Sequence, residues 1–510
     1  VNDVQVIPLM SESRYNSVFS CFDIIMTDIK LVNLPYLEEL FHLYPFYRDL
    51  PQPILLDSNH PNFPDTKCDI LVADPLAKLS AHLNDTQCQL EWRDLPLFDL
   101  DDTLPIMEGI ESIINKACQF DWAKQADEEL PFTGGLVGYF GYDGGHFVES
   151  LPNTVIHDVN LPIIQAGLYG WAIISLHASK QTFLMYTPWC EEEEVNGILD
   201  RHKNFQQAQA NLEANSTSSL DLAGQSETKF ELKHKFESNM EANEYATKFE
   251  KVMQYIQAGD CYQVNLAQRF SSQYLGDTLQ AYQSLRKSCP TPFSAYMEID
   301  KLGSILSHSP ERFLQVDQGK VESKPIKGTR ARGKTLAEDE ALAQELLNST
   351  KDKAENLMIV DLLRNDMGRT CDTGSIKVPK LFALETYPNV HHLVSTITGS
   401  IQEKHKHFNV FRHSFPGGSI TGAPKIRAMQ IIDELEPHER SVYCGSIAYF
   451  SLNGQMDSSI TIRSLVADKE NIHCWAGGGL VADSKCEEEF RETFTKVKRL
   501  THTLETEFLS

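Results

Sequence analysis

The hydrophobic pattern of the chain changes period along its length. In residues 1–204, short apolar or alternating runs bounded by Pro and Gly predict strands: PILLDS (53–58), CDILVADP (68–75) and QAGLYGWAIISLHA (165–178). Glycines crowd FTGGLVGYFGYDGG (132–145), where the backbone must approach a neighbour closely or turn with positive φ. Tyr139, Phe140 and Tyr142 favour a strand there over a phosphate-cradling loop opening a helix. From residue 243 a helical period takes over. Apolar or aromatic residues at 245, 249, 252, 253 and 256 predict a helix over 243–260 that ends at Gly259. VNLAQRFSSQY then alternates like a strand, and 351–366 reads as a second helix. SIAYFSLNGQMDSSITIRSLVAD predicts a hairpin turning at Asn453-Gly454. EEEFRETFTKVKRLTHTLE predicts a final helix. Helices mixed with hairpin-joined strands place the chain in the α+β class.

Residues 205–229, FQQAQANLEANSTSSLDLAGQSETK, are rich in Gln, Asn, Ser and Thr, a composition unsuited to a packed core. They read as a polar linker or surface loop between an N-terminal part (1–204) and a C-terminal part (230–510).

With 510 residues, 41% hydrophobic and 23% charged, the chain has ample material for a large core. Its net charge of −25 would be repelled by phosphate backbones and anionic lipid, so neither nucleic acid nor a membrane surface is expected as a partner. The longest apolar stretch, 161–176, is broken by Pro162, Gln165, Gly167 and Gly170, so no membrane span is expected. No charged segment followed by an apolar one opens the chain, and no secretion signal is expected. Eleven cysteines lie scattered without a CxxC, the usage of a reducing compartment with no zinc site. A cytoplasmic location follows as the expectation.

Against this acidic background SHSPERF (307–313) and ESKPIKGTRARG (322–333), with Lys334, form a local cationic patch. It fits either a solvated basic loop or a site for a small carboxylate-bearing anion. Lys327, bracketed by Pro325 and Gly328, could act as a nucleophile if desolvation lowers its pKa. Glu355 shares a predicted apolar helix face with Met358, Ile359 and Leu362, where a carboxylate needs a partner or a cation. On the last helix an i,i+4 pair with Lys496 accounts for Glu492 without any function, but carboxylates from two helices would also suit Mg²⁺. FPGGSITGAPKIRAMQIIDEL (415–435) reads as a loop entering a helix with Pro424 in its first turn, and lacks the Gly-Lys-Ser/Thr of an ATPase. WAGGGLVADS (475–484) reads as a glycine-rich turn. Arg463 could fork onto a carboxylate. His392 lies on an alternating strand, where a lone histidine is more often structural. A glutamine-hydrolysing Cys-His-Glu arrangement is absent from the chain.

PIKGTRARG, ENLMIVDLLRND, HHLVSTITG, GGSITGAPKIRAMQIIDELEP and AGGGLVADS together resemble the chorismate-utilising enzymes, densely over 243–498 and more thinly through PFTGGLVGYFGYD and LLDS. The resemblance implies a large two-part α/β sandwich, mainly of antiparallel sheets with surrounding helices, to which both parts contribute strands. Isochorismate and salicylate synthases carry a water-activating lysine where this chain has Gln263. Anthranilate synthases typically read PIAGT where this chain reads PIKGT. Lys327 therefore marks the branch of aminodeoxychorismate synthase component I, in which the lysine adds to C2 of chorismate, the 4-hydroxyl leaves and ammonia enters at C4. That branch implies 4-amino-4-deoxychorismate for folate synthesis as the product and a separate glutamine amidotransferase subunit as the source of ammonia.

Carried over to this chain, the resemblance makes Lys327 the nucleophile and Glu311 the general acid. Glu355 and Glu492, with Glu489 close by, become the holders of Mg²⁺. Gly328, Thr329, His392, Thr421, Tyr449, Arg463, Gly477, Gly478 and Gly479 become chorismate-binding residues. Ser58 of LLDS marks a possible tryptophan site, structural rather than regulatory because PTPFSAYM departs from the Pro-Tyr-Met of feedback-inhibited relatives. The competing readings are an anthranilate synthase large subunit and a non-catalytic chorismate- or tryptophan-binding subunit.

Overall fold

Alternating side chains point to opposite faces of a strand, and in this protein both faces are buried. Ile54, Ile70, Val72 and Ile174 enter one apolar core, while their chain neighbours Leu55, Leu71, Ala73 and Ile173 enter another. Burial on both faces is why these strands read as continuous apolar runs. The computed structural model describes residues 6–8, 28–59, 61–63, 67–94, 96–101, 103–124, 127, 129–214, 228–387 and 390–510.

The described strands form a fourteen-stranded and an eleven-stranded sheet. Both sheets cross from the N-terminal part to the C-terminal part. In the first, Ile54–Asp57 pairs with Phe293–Ile299, Asp57 opposite Ser294. In the second, Gly135–Phe140 pairs with Ser446–Ser451, Gly138 opposite Ala448. The core between the sheets takes Ile54 and Ile174 from one and Val137, Tyr139 and Ile447 from the other. Helices cover the outer face of the first sheet, where Trp171, Tyr282, Leu500 and Leu504 are buried. This is the α+β sandwich that the sequence predicts, with the two parts sharing sheets.

The hairpin at Asn453-Gly454 and the helices Ala242–Ala258, Thr350–Gly368 and Cys486–Phe508 stand where their patterns place them. Four details differ. The run 165–178 is two strands, Ile164–Tyr169 in the second sheet and Trp171–Leu176 in the first, so the chain changes sheets at Gly170. The polar segment expected from 205 begins as the end of the helix Glu192–Ala214. Phe205, 1% exposed, anchors it edge-to-face on Phe46; residues 215–227 lie outside the described residues. Pro424 precedes the helix Lys425–Leu435 as its cap. The expected glycine-rich turn at 475–484 is mostly strand, Asn471–Leu480, because its glycines permit close pairing with Gln263–Leu275.

Burial also sets the acid response. His202, His392 and His407 are held down to about 4 and His308 to about 3, in each case foremost by burial. The unfolded chain, with histidines near 6.5, takes up these protons first. Stability is therefore full above that value and falls as pH drops towards 4, by up to about 1.4 kcal/mol per histidine per pH unit. Asp143, pushed up to about 7 by burial and by Glu439, acts in the opposite sense and offsets part of this loss. Urea midpoints should fall steadily from about pH 7 to about pH 5; a flat profile would contradict neutral buried histidines.

Candidate active site

A cavity of about 660 Å³ opens where the C-terminal strands meet the helices Thr350–Gly368 and Cys486–Phe508. Glu311 reaches it from the corner between Gly303–Ser309 and Arg312–Asp317. Lys327 reaches it from Ile326–Ala331, whose pairing with Val390–Ser400 slips between Lys327 and Thr329. The slip is a bulge at Gly328, with φ +77°, a conformation that favours glycine. Ser419 serves both groups: its carbonyl accepts from Lys327 Nζ at 3.1 Å, and its hydroxyl donates to the Glu311 carboxylate. The Ile326 N–H donates to the same carboxylate.

Burial raises the pKa of Glu311 and lowers that of Lys327, and in each case the partner's charge opposes the shift without reversing it. Desolvation thus weakens the charged form of both groups, the direction that a general acid next to a nucleophile would need.

Carboxylates line the same cavity. The buried face of the helix Thr350–Gly368 runs through Asn356, Ile359, Val360 and Leu363, rotated from the expected one, so that Met358 and Leu362 are only half-buried. Glu355 stands at the edge of that face, 20% exposed, towards the cavity. Glu489 is 5% exposed and accepts from Ser484 Oγ at 2.7 Å. Burial raises the pKa of both, and Glu489 adds its repulsion at Glu355. Burial also disfavours the charge of Glu492, but the Lys496 ammonium at 2.7 Å, with Lys351 and Lys327, holds the carboxyl below its ordinary range. Among the described residues no three such groups converge closely enough to hold a metal as they stand. Their chemistry nevertheless suits a hard divalent cation: oxygen donors, partly buried and mutually repelling. A β-carbon at Gly478 would stand 2.8 Å from Glu489 Oε2, so the glycine leaves that carboxylate its room.

The residues singled out from sequence divide. Gly328, Thr329, His392, Arg463, Gly477 and Gly479 line this cavity with Glu311, Lys327, Glu355, Glu489 and Glu492. His392, neutral with its pKa near 4, bonds Thr329 Oγ1 at 2.9 Å. Arg463 lines the cavity and makes no ion pair among the described residues. Gly477 admits Asn265, whose Oδ1 would lie 2.3 Å from a β-carbon there. Thr421 is fully buried, and its hydroxyl donates to Gly417 O, so it holds the loop instead of lining the cavity. Tyr449 lines a second, smaller cavity of about 90 Å³ with Ser58, Phe293, Arg312 and Asp457. There Ser58 Oγ donates to Asp69 Oδ1 at 2.5 Å.

Sequence reasoning missed Ser419, Tyr443, Trp475, Lys351 and Lys496, all cavity-lining. Ser419 and Trp475 lay inside motifs read for other residues. Tyr443, parallel to Trp475 at 6.1 Å, carried no local signal. Beneath them Arg440, 1% exposed, forks onto Glu436 at 2.6 and 2.9 Å and donates to Ile420 O and Asn265 O. Replacing Arg440 by Met would strand the Glu436 charge and cost about 3–5 kcal/mol. The double variant Arg440→Met/Glu436→Gln should recover part of that loss; urea denaturation reads both.

Comparison with known proteins bears on this geometry. Residues 65–502 match the model of the chorismate binding enzyme family. Aminodeoxychorismate synthase component 1 of Salmonella typhimurium is 43% identical over 466 residues, covering 91% of this chain and 95% of the relative. Anthranilate synthase component 1 of Aquifex aeolicus is 37% identical over 381 residues, covering 74% and 76%. Anthranilate synthase component I of Streptococcus pneumoniae superposes with a TM-score of 0.69 at 27% identity, covering 86% of this chain and 92% of that one. The menaquinone-specific isochorismate synthase of Escherichia coli superposes at 0.66 with 16% identity, covering 94% and 95%, a likeness of fold.

Proposed function

The chain belongs to the chorismate binding enzyme family, and from that premise we propose that it aminates chorismate at C4 to 4-amino-4-deoxychorismate, the precursor of 4-aminobenzoate. The observation that carries the proposal is Lys327 in PIKGT, held in the cavity beside Glu311 by Ser419. An anthranilate synthase of the PIAGT type has no amine at that position.

The neutral Lys327 amine attacks C2 of chorismate, the ring double bonds shift, and the C4–O bond breaks. Glu311 gives its proton to the departing oxygen, which leaves as water. Ammonia then adds at C4, the double bonds shift back and Lys327 is expelled from C2. Each residue needs the protonation state that burial favours for it. Arg463 and Lys496 supply positive charge for the substrate's carboxylates, since His392 stays neutral. Glu355, with Glu489 and Glu492, would hold Mg²⁺, which supplies charge neutralisation for a carboxylate of the substrate. Ammonia comes from a separate glutamine amidotransferase, the second component to which the name component 1 of the relatives points.

Chorismate, Mg²⁺ and an ammonium salt incubated with the purified chain should yield 4-amino-4-deoxychorismate by mass. Lys327→Ala should abolish the product, and Glu311→Gln should lower kcat by about 10²–10⁴-fold. Anthranilate with pyruvate would instead make this the rival synthase. Absence of turnover even with the glutaminase added would favour a binding subunit.

The second cavity lies on the seam between the sheets, with Ser58 and Ser294 from one side and Arg312 and Tyr449 from the other. A tryptophan bound there would brace the sandwich without reaching Lys327. Added tryptophan should therefore raise Tm and leave turnover unchanged; inhibition of turnover would make the cavity regulatory.

A further inference from the structure

Lys351 sits oddly for its helix. It lies in the first turn of Thr350–Gly368, where the helix dipole disfavours a cation. Its i,i+4 pairing places Lys before Glu, the weaker of the two orientations. Helix stability therefore gives no reason for a lysine at this position. Its surroundings do: the ammonium stands 3.8 Å from Glu355 Oε1 and 3.8 Å from Glu489 Oε1, between carboxylates from two different helices. Its charge also lowers the pKa of Glu492 and opposes the burial of Glu355 and Glu489.

Resting on the metal reading above, we propose that Lys351 is a tethered stand-in cation for this site, holding Glu355 and Glu489 together without a divalent ion and yielding its place when one binds. Both contacts are long and the lysine side chain is 55% exposed, so the pairing is weak and readily broken. A Mg²⁺ ion binds oxygen at about 2.0–2.1 Å. A divalent cation held by Glu355 and Glu489 would bring a second positive charge close to the ammonium, and repulsion between like charges would drive the flexible lysine outwards. The lysine thereby spares the metal-free protein the repulsion between two buried carboxylates, at the cost of weaker metal binding.

The test is calorimetric titration of MgCl₂ into the metal-stripped full chain, with melting temperatures in EDTA. Lys351→Met should bind Mg²⁺ about tenfold more tightly than the parent, whereas Lys351→Arg, which keeps the charge, should stay near parental affinity. Lys351→Met should also melt lower in EDTA and gain more from saturating Mg²⁺. Equal or weaker binding by Lys351→Met, or equal tightening by Lys351→Arg, would overturn the inference while leaving the metal site standing. Failure of every chain to bind Mg²⁺ would overturn the site and the inference together.

Discussion

A charge with no access to water must find its partners inside the protein, and Arg440 imposes that requirement on everything around the cavity. Its guanidinium closes onto Glu436, which in turn accepts the Ala267 N–H. Its remaining donors reach Ile420 O and Asn265 O. It lies 4.6 Å from the Tyr142 ring and 5.8 Å from that of Tyr443. One side chain thus ties the loop that carries Ser419 to the strand that carries Asn265, beneath the tyrosine facing the cavity. An ion pair this deep contributes little net stability, because desolvation offsets its attraction. It does penalise any arrangement of these segments that leaves a partner unpaired, and so it selects one geometry.

On that frame the cavity concentrates charge of both signs in a protein of net charge −25. Lys327, Lys351, Lys496 and Arg463 face Glu311, Glu355, Glu489 and Glu492 across a space too wide for all of them to pair directly. Neighbouring groups therefore end up with different protonation tendencies. Burial decides the direction at Glu311 and Lys327, while at Glu492 the ammonium groups of Lys496, Lys351 and Lys327 together overcome it. The net charge works against large polyanions, and the local arrangement still suits a small dianion.

Much of the fold was legible because its signals are local. Gly259 ends its helix with φ +80°, Asn453-Gly454 turns its hairpin, and double burial writes apolar runs at 54–57 and 68–72. The site was partly legible because motif residues such as Lys327, Glu311 and Glu355 carry their chemistry in their identity. Phe205 in a polar run, the strand character of Gly477–Gly479 and the sheet change at Gly170 were not, since each depends on a neighbour distant in sequence: Phe46, Gln263–Leu275 and the opposite sheet.

The sequence by itself determined the class of fold and the family and singled out Lys327 and Glu311, because periodicity and residue chemistry are properties of short segments. Only the tertiary structure decided that Tyr449 and Ser58 share a second cavity, that Thr421 supports the loop, and that Tyr443, Ser419 and Lys351 join the first. The reason is physical. Whether a side chain lines a cavity depends on the strand opposite it, and whether a carboxylate is raised or lowered depends on which cation packs within a few ångströms. Both are set by long-range packing.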